Sequence, residues 1–424
     1  MRLGLLDTPR GRRLLFAALY ASEGAPIGYL WTALPTKLRQ EGVPIEEVAA
    51  LASLITLPWT LKLLWAPLVD ALRSRRTGLR PWIVGAQIAM AVSLLPLFAL
   101  DPRAQWHAFV ACLLVHATCA ATQDVAIDAL AVKHVPPGER GSATAWMQVG
   151  MVLGRAAFGG VALMAERRLG EDVVLAALIG AIVLSSALAW LAGDAGRPGP
   201  SALRQRMASF LDGLRAALGR QTTWLGLGFV TLAGAGMEAT SALAGPLLVD
   251  RGFDQEAIGR FFALPVVVVT VLGVLVGGRL SDRLPRVRVA GAALLAVGGS
   301  VGLVAVCAVP DGTLPPVRLL AALAFAYLLF GVLTAASYAL MMDLTDPQLG
   351  GTQFSAYMGA VNLCYVWSAA SAGRLAGSLD YAQALAILAG ASLLGLALLP
   401  AISRRPPGPL PPRDRPGASL PGDR

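Results

Sequence analysis

Asp124 and Asp128 stand four residues apart in Ala120-Ala121-Thr122-Gln123-Asp124-Val125-Ala126-Ile127-Asp128-Ala129, a stretch that is otherwise mostly apolar. On a helix that spacing places both carboxyls on one face, one turn apart. A carboxylate inside a bilayer costs several kcal/mol, so such groups face a wet cavity or a partner. The chemistry within reach is ion pairing and proton exchange. Glu23, Lys62, Arg155, Glu238 and Asp343 also fall within or at the end of long apolar stretches. No nucleophile–base pair, zinc motif or phosphate loop accompanies them, so no catalytic residue is expected and the chain is not read as an enzyme. Cys112, Cys119, Cys307 and Cys364 lie in apolar segments without metal-ligand spacing and are read as packing residues. The three histidines are scattered, and neither a metal nor a cofactor is expected.

The elements that must position these groups are membrane spans. Of 424 residues, 56% are hydrophobic and 14% charged, with a mean hydropathy of +0.63. Soluble domains carry about 25% charged residues. Apolar runs of spanning length recur from end to end, so the expectation is an all-α membrane protein embedded in the lipid bilayer. The basic leader Met1–Arg13 resembles a signal peptide, but the run after it is too long, contains Glu23 and flows into further spans. Twelve spans are predicted, near 14–38, 48–70, 81–100, 106–130, 142–165, 173–192, 223–249, 257–278, 289–309, 317–342, 352–376 and 381–402.

With both termini cytoplasmic, 24 of the 35 lysines and arginines fall in cytoplasmic segments and seven on the other side. That bias predicts a multi-pass protein of the cell (inner) membrane with both ends inside. It also accounts for the net charge of +9 without a nucleic-acid partner. Residues 1–192 then form an N-terminal six-helix bundle and 223–402 a C-terminal one. Between them, 193–222 is a cytoplasmic linker. Its Leu203, Met207, Phe210, Leu211, Leu214 and Leu218 predict an interfacial amphipathic helix. The Pro- and Gly-rich tail 403–424 is expected to be disordered.

The halves echo each other. Gly42 with Glu46 before span 2 matches Gly252 with Glu256 before span 8, 210 residues on. Spans 2 and 8 both end in Asp and an arginine-rich loop: Asp70 with Arg73, Arg75 and Arg76, and Asp282 with Arg283, Arg286 and Arg288. Two such halves resemble the parallel-repeat architecture of the major facilitator superfamily, twelve transmembrane helices as two six-helix pseudo-repeats. The acid-plus-arginine turns resemble that superfamily's loop 2–3 signature, which implies a cytoplasmic gate closed by charge pairing and helix ends.

Leu57-Pro58-Trp59-Thr60-Leu61-Lys62-Leu63-Leu64-Trp65-Ala66-Pro67-Leu68-Val69-Asp70 looks like the span-2 motif of the AmpG-type permeases. Gln123-Asp124 with Asp128-Ala129, followed by Pro136-Pro137-Gly138-Glu139-Arg140-Gly141, is similar to their span-4 motif. That group includes muropeptide importers, siderophore permeases of the RhtX/FptX type and the acetyl-CoA transporter of the endoplasmic reticulum. The resemblance covers roughly residues 15–165. It implies a secondary transporter, a monomer importing with protons an amphiphilic, often anionic small molecule such as anhydromuropeptide; a siderophore is the alternative cargo. The alternative of another class is a non-transporting membrane enzyme or sensor on the same fold.

In that architecture spans 1, 4, 7 and 10 line the cavity. At about 1.5 Å per residue, Glu23, Lys62 and Asp124 lie about 13, 12 and 9 Å from the cytoplasmic edge. We read them as one buried charge network able to exchange a proton; a static pair fixing helix packing is the other reading. Asp128, nearer the loop and beside Lys133 and Arg140, is assigned to the cytoplasmic gate with Asp70, Arg73, Arg140, Asp282 and Arg283. Gln123, Arg155 and Glu238 are candidates for the substrate cavity. Arg155, in a Gly-rich stretch that resembles the superfamily's helix-5 antiporter motif, is about 20 Å deep. It needs an anion there, either a substrate carboxylate or Glu23 or Asp124.

Overall fold

In the computed structural model, residues 4–34, 37–38, 45–74, 77–102, 104–192, 203–253, 255–309 and 317–403 are described. Of the matched pair Gly42 and Gly252 only Gly252 is thus inside these ranges, and Arg75, Arg76 and the tail from 404 lie outside them.

The described residues fold into helices in the order the apolar runs predict. α1 is Pro9–Gly28, extended by a π turn Tyr29–Ala33. α2 consists of Ile45–Leu61, a 3-10 turn Lys62–Leu64 and Ala66–Ala71. α3 is Arg80–Phe98 and α4 Trp106–His134. α5 is Arg140–Ala156, extended by a π turn Ala157–Val161 and Ala162–Leu169. α6 is Glu171–Ala192 and the linker helix α7 is Leu203–Gly219. α8 is Gln221–Asp250, α9 Ala257–Arg283, α10 Arg286–Ala308 and α11 Val317–Leu344. α12 is Gly350–Ser378 and α13 Tyr381–Ser403. Eight of these (α3, α4, α6, α8, α9, α10, α11 and α13) are long and apolar enough to cross a membrane.

Local chemistry sets several boundaries. Thr8 caps α1 by accepting from the Gly11 amide at 3.1 Å, with Pro9 at the first helical position. Asp380 caps α13 in the same way, accepting from Gln383 at 2.7 Å. Pro67 has no amide hydrogen to donate to the carbonyl four residues back, and α2 tightens there into its 3-10 turn. That irregular turn carries Lys62.

Small residues set how closely the helices approach. A Cβ on Gly150 would stand 2.0 Å from the Ala17 carbonyl oxygen, and one on Gly24 2.3 Å from that of Met151. α1 and α5 are therefore in backbone contact, and their two π turns lie against each other just beyond it. In the second half Gly273 meets the Leu328 carbonyl in the same manner, joining α9 to α11. Gly150→Val is accordingly expected to destabilise the purified chain by about 2 kcal/mol or more, because backbone cannot yield as a side chain can. Thermal unfolding in detergent checks this; an unchanged melting temperature would refute the backbone contact.

The linker helix departs from the expectation. Phe210 and Leu214 pack on Ala71 at the end of α2 and on Leu349 just before α12, while Met207, Leu211 and Leu218 stay exposed. The apolar stripe is therefore split, one part sealing the seam between the halves. The cost of leaving Phe210 wet at that seam explains why the helix turns inward.

Candidate functional site

Two polar assemblies interrupt the apolar body. The first is buried within the first half. The Lys62 ammonium pairs with the Asp124 carboxylate, and the two residues are 3% and 5% exposed. The 3-10 turn of α2 aims Lys62 inward, and Trp65 fixes that turn against α4 by donating to Thr122 at 3.1 Å. Glu23 and Asp128, 4% and 0% exposed, each bring a carboxyl within hydrogen-bonding reach of Asp124. The Tyr20 hydroxyl donates to Asp128 Oδ1. Glu23 Oε2 and Asp128 Oδ2 are buried without a donor among the described residues. One ammonium thus serves three carboxyls. Three carboxyls beside one ammonium leave an imbalance of charge that proton uptake can offset.

Asp128 is therefore not beside Arg140 as its position near the loop suggested. Its helix face, shared with Asp124, points inward to Tyr20, and Arg140 points to the other half. Gln123 is likewise no cavity residue: it is fully buried and donates to Ser22 at 3.3 Å. Ser22 also accepts from Gln87 at 3.2 Å, so both glutamines tie helices within one half.

The second assembly closes one end of the molecule. Asp70, at the end of α2, accepts from the Gly351 and Thr352 amides at 3.0 and 2.6 Å and from the Thr352 hydroxyl at 2.7 Å. Asp282, at the end of α9, accepts from the Gly141 and Ser142 amides at 2.8 and 2.9 Å and from the Ser142 hydroxyl. Each acid caps the first turn of a helix in the opposite half, where the helix dipole favours a negative charge. The capped pairs Gly141-Ser142 and Gly351-Thr352 are 210 residues apart, the same interval as the repeat before spans 2 and 8. A Cβ on Gly278 would lie 2.5 Å from the Gly141 carbonyl, so side chains larger than hydrogen do not fit this crossing.

Arginines complete the closure across the halves. Arg73 donates to the Pro347 carbonyl at 3.3 Å and to that of Gln348. Arg140 donates to Asp343 at 2.7 Å and to the Met342 carbonyl at 2.9 Å. Arg286 pairs with the other oxygen of Asp343 and donates to the Pro137 carbonyl. Arg283 is exposed and takes no part, because Asp282 spends both oxygens on helix amides. Arg286, one turn on, supplies the contact instead. Tyr20, Ser142, Thr352 and the bridging role of Asp343 escaped sequence reasoning. The 210-residue interval, extended to Gly141-Ser142 and Gly351-Thr352, was the available signal for two of them.

Arg155 and Glu238 remain. Arg155 is exposed and Glu238 half-buried, and neither side chain makes a hydrogen bond or ion pair among the described residues. Arg155 has neither Glu23 nor Asp124 as its counter-ion.

The sequence profile described as Major Facilitator Superfamily matches residues 16–310 and 227–422. The chain is 28% identical over 375 residues to a protein of Escherichia coli (strain K12) named anhydromuropeptide permease, covering 86% of this chain and 74% of that one. Among solved structures, an outward-facing bacterial homologue of the iron transporter ferroportin superposes with a TM-score of 0.71 at 14% identity, over 93% of this chain and 99% of that one. The E. coli fucose:proton symporter gives 0.70 at 13% identity, over 92% and 97%.

Proposed function

Because the chain belongs to the major facilitator superfamily and is a multi-pass inner-membrane transporter of its AmpG-like branch, we propose that it imports an anhydromuropeptide in symport with protons. The observation that carries the proton part is the Tyr20–Glu23–Lys62–Asp124–Asp128 cluster, whose carboxyls outnumber its cation. Such a cluster can take up and release a proton as its pairing changes with helix rocking. The cargo part rests on similarity to a permease named for that cargo. Both termini lie in the cytoplasm on this reading, following the arginine bias, so the Asp70 and Asp282 caps close the cytoplasmic gate.

The alternation follows from the geometry. With the caps made, the cytoplasmic side is shut on this reading, and cargo enters from the opposite end. Helix rocking that breaks the caps opens the cytoplasmic side, and substrate and protons leave together. Proteoliposomes holding the purified chain test the proposal. Labelled anhydromuropeptide should accumulate when an inward proton gradient is imposed, and accumulation should vanish with an uncoupler. Accumulation that ignores the gradient removes the proton part. Accumulation of a ferric siderophore in place of the muropeptide removes the cargo part.

A further inference from the structure

Arg155 and Glu238 are ionisable side chains inside spans that neither assembly uses. On α5, Arg155 lies eleven residues after Thr144, which at 100° per residue is the same face. Thr144 uses that face to meet the other half, its hydroxyl within 3.3 Å of the Ala335 carbonyl on α11. Trp146 and Leu153, exposed on the opposite side of α5, form its outer surface. Arg155 therefore looks toward the second half, above the point where the halves touch, and is exposed there.

Glu238 occupies the corresponding level of the second half. On α8 it stands one turn from Gly234, which abuts Cys364 of α12, and three residues from Ser241, which accepts from Tyr327 of α11. Depth is set by the Arg140–Asp343 pair, which puts the start of α5 and the end of α11 at one height. Arg155 is then about 22 Å from the closed end, and Glu238, counted through Tyr327, about 20 Å. Tyr338 of α11, nearer the closed end, is close enough to feel the charges of both Glu238 and the first-half cluster. Among the described residues neither side chain has an ion-pair partner, so the two are not paired with one another either.

An unpartnered guanidinium and an unpartnered carboxyl half-way across a membrane are both costly unless something else completes them. We infer that Arg155 and Glu238 are the two poles of the solute site, and that the solute is dipolar, presenting a carboxylate or similar anion to Arg155 and an ammonium to Glu238. Arginine offers the planar fork that takes a carboxylate by two hydrogen bonds. A solute with one charge leaves one pole bare, so it is rejected by the desolvation it imposes. Because the poles belong to different halves, a bound dipolar solute also ties the halves together at mid-depth. The inference rests on the transporter reading above for the site being a cargo site.

Equilibrium binding to the detergent-purified full chain tests it, with an anhydromuramyl tripeptide ending in lysine, its carboxyl-amidated form and its amine-acetylated form. Each blocked form should bind about tenfold or more weakly than the parent ligand. In Arg155→Gln the amidated form should bind as well as the parent ligand, with discrimination against acetylation kept. In Glu238→Gln the pattern should reverse. Blocked forms that bind the unaltered chain within about twofold of the parent ligand, or discrimination unchanged in both variants, overturn the inference. The free tripeptide Ala-Glu-Lys with the same two modifications separates this from the cargo. If it follows the pattern while the anhydromuramyl ligand does not bind, the cargo reading fails and the dipolar site stands. Binding of neither ligand overturns the dipolar site.

Discussion

Lys62→Met is expected to destabilise the chain by about 3–5 kcal/mol, the cost of leaving buried carboxyls without the cation that pairs with them. The three carboxyls of Glu23, Asp124 and Asp128 then face one another with a thioether in place of the ammonium. Thermal unfolding of the detergent-purified variant measures the loss. Removing the acid as well, in Lys62→Met with Asp124→Leu, should recover most of it, since an apolar pair of similar volume often matches a buried ion pair. Asp124→Asn is the gentler change. Glu23 and Asp128 remain near the ammonium, so the chain should stay folded in the membrane. Proton-driven accumulation should be abolished while exchange of labelled for unlabelled cargo continues. Accumulation with unchanged pH dependence in Asp124→Asn would show that the cluster only fixes packing.

Loss of either helix cap should shift the balance between closed and open cytoplasmic sides. Asp70→Ala removes three hydrogen bonds to a carboxylate, and Asp282→Ala removes another three. Hydrogen bonds to a charged group contribute about 1.5–3 kcal/mol each, and partial replacement by water reduces the net. A shift of about tenfold toward the open state is expected for each single variant, and more for the pair, since the caps act on separate helices. Spin labels at Leu72 and Leu284, both exposed at this end and one in each half, report the opening as a longer distance in a cysteine-free background. Arg283→Ala, by contrast, should leave the distance distribution unchanged. An unchanged distribution in both Asp variants would mean that the caps do not hold the gate.

Much of this was legible in the chain. Apolar run length predicted the twelve spans, because a span must bury its own backbone hydrogen bonds and can do so only as a helix. Helical rise placed Glu23, Lys62 and Asp124 at similar depth, and the fold brings all three together. Depth along a helix is a one-dimensional quantity that residue counting supplies. Rotation about the helix and the identity of the facing helix are not. Asp128 was assigned to the gate by its distance from the loop, yet it shares the face of Asp124 and meets Tyr20. Gln123, one residue away from Asp124 and about 100° around the helix, is sealed against Ser22.

The sequence by itself determined that this is a membrane protein of two related halves, that an acid ends α2 and α9, and that charges sit at mid-membrane in helices 1, 2, 4 and 5. These follow from composition, spacing and an interval of 210 residues, all of which survive without coordinates. Only the tertiary structure decided partners. It gave Asp70 and Asp282 to helix amides in place of arginines, gave Asp343 to both Arg140 and Arg286, and left Arg155 and Glu238 without a counter-ion among the described residues. The physical reason is that pairing energy depends on a few ångströms of separation between helices far apart in the chain. The close approach of glycines such as Gly150 and Gly278 sets that separation, and no local pattern encodes it.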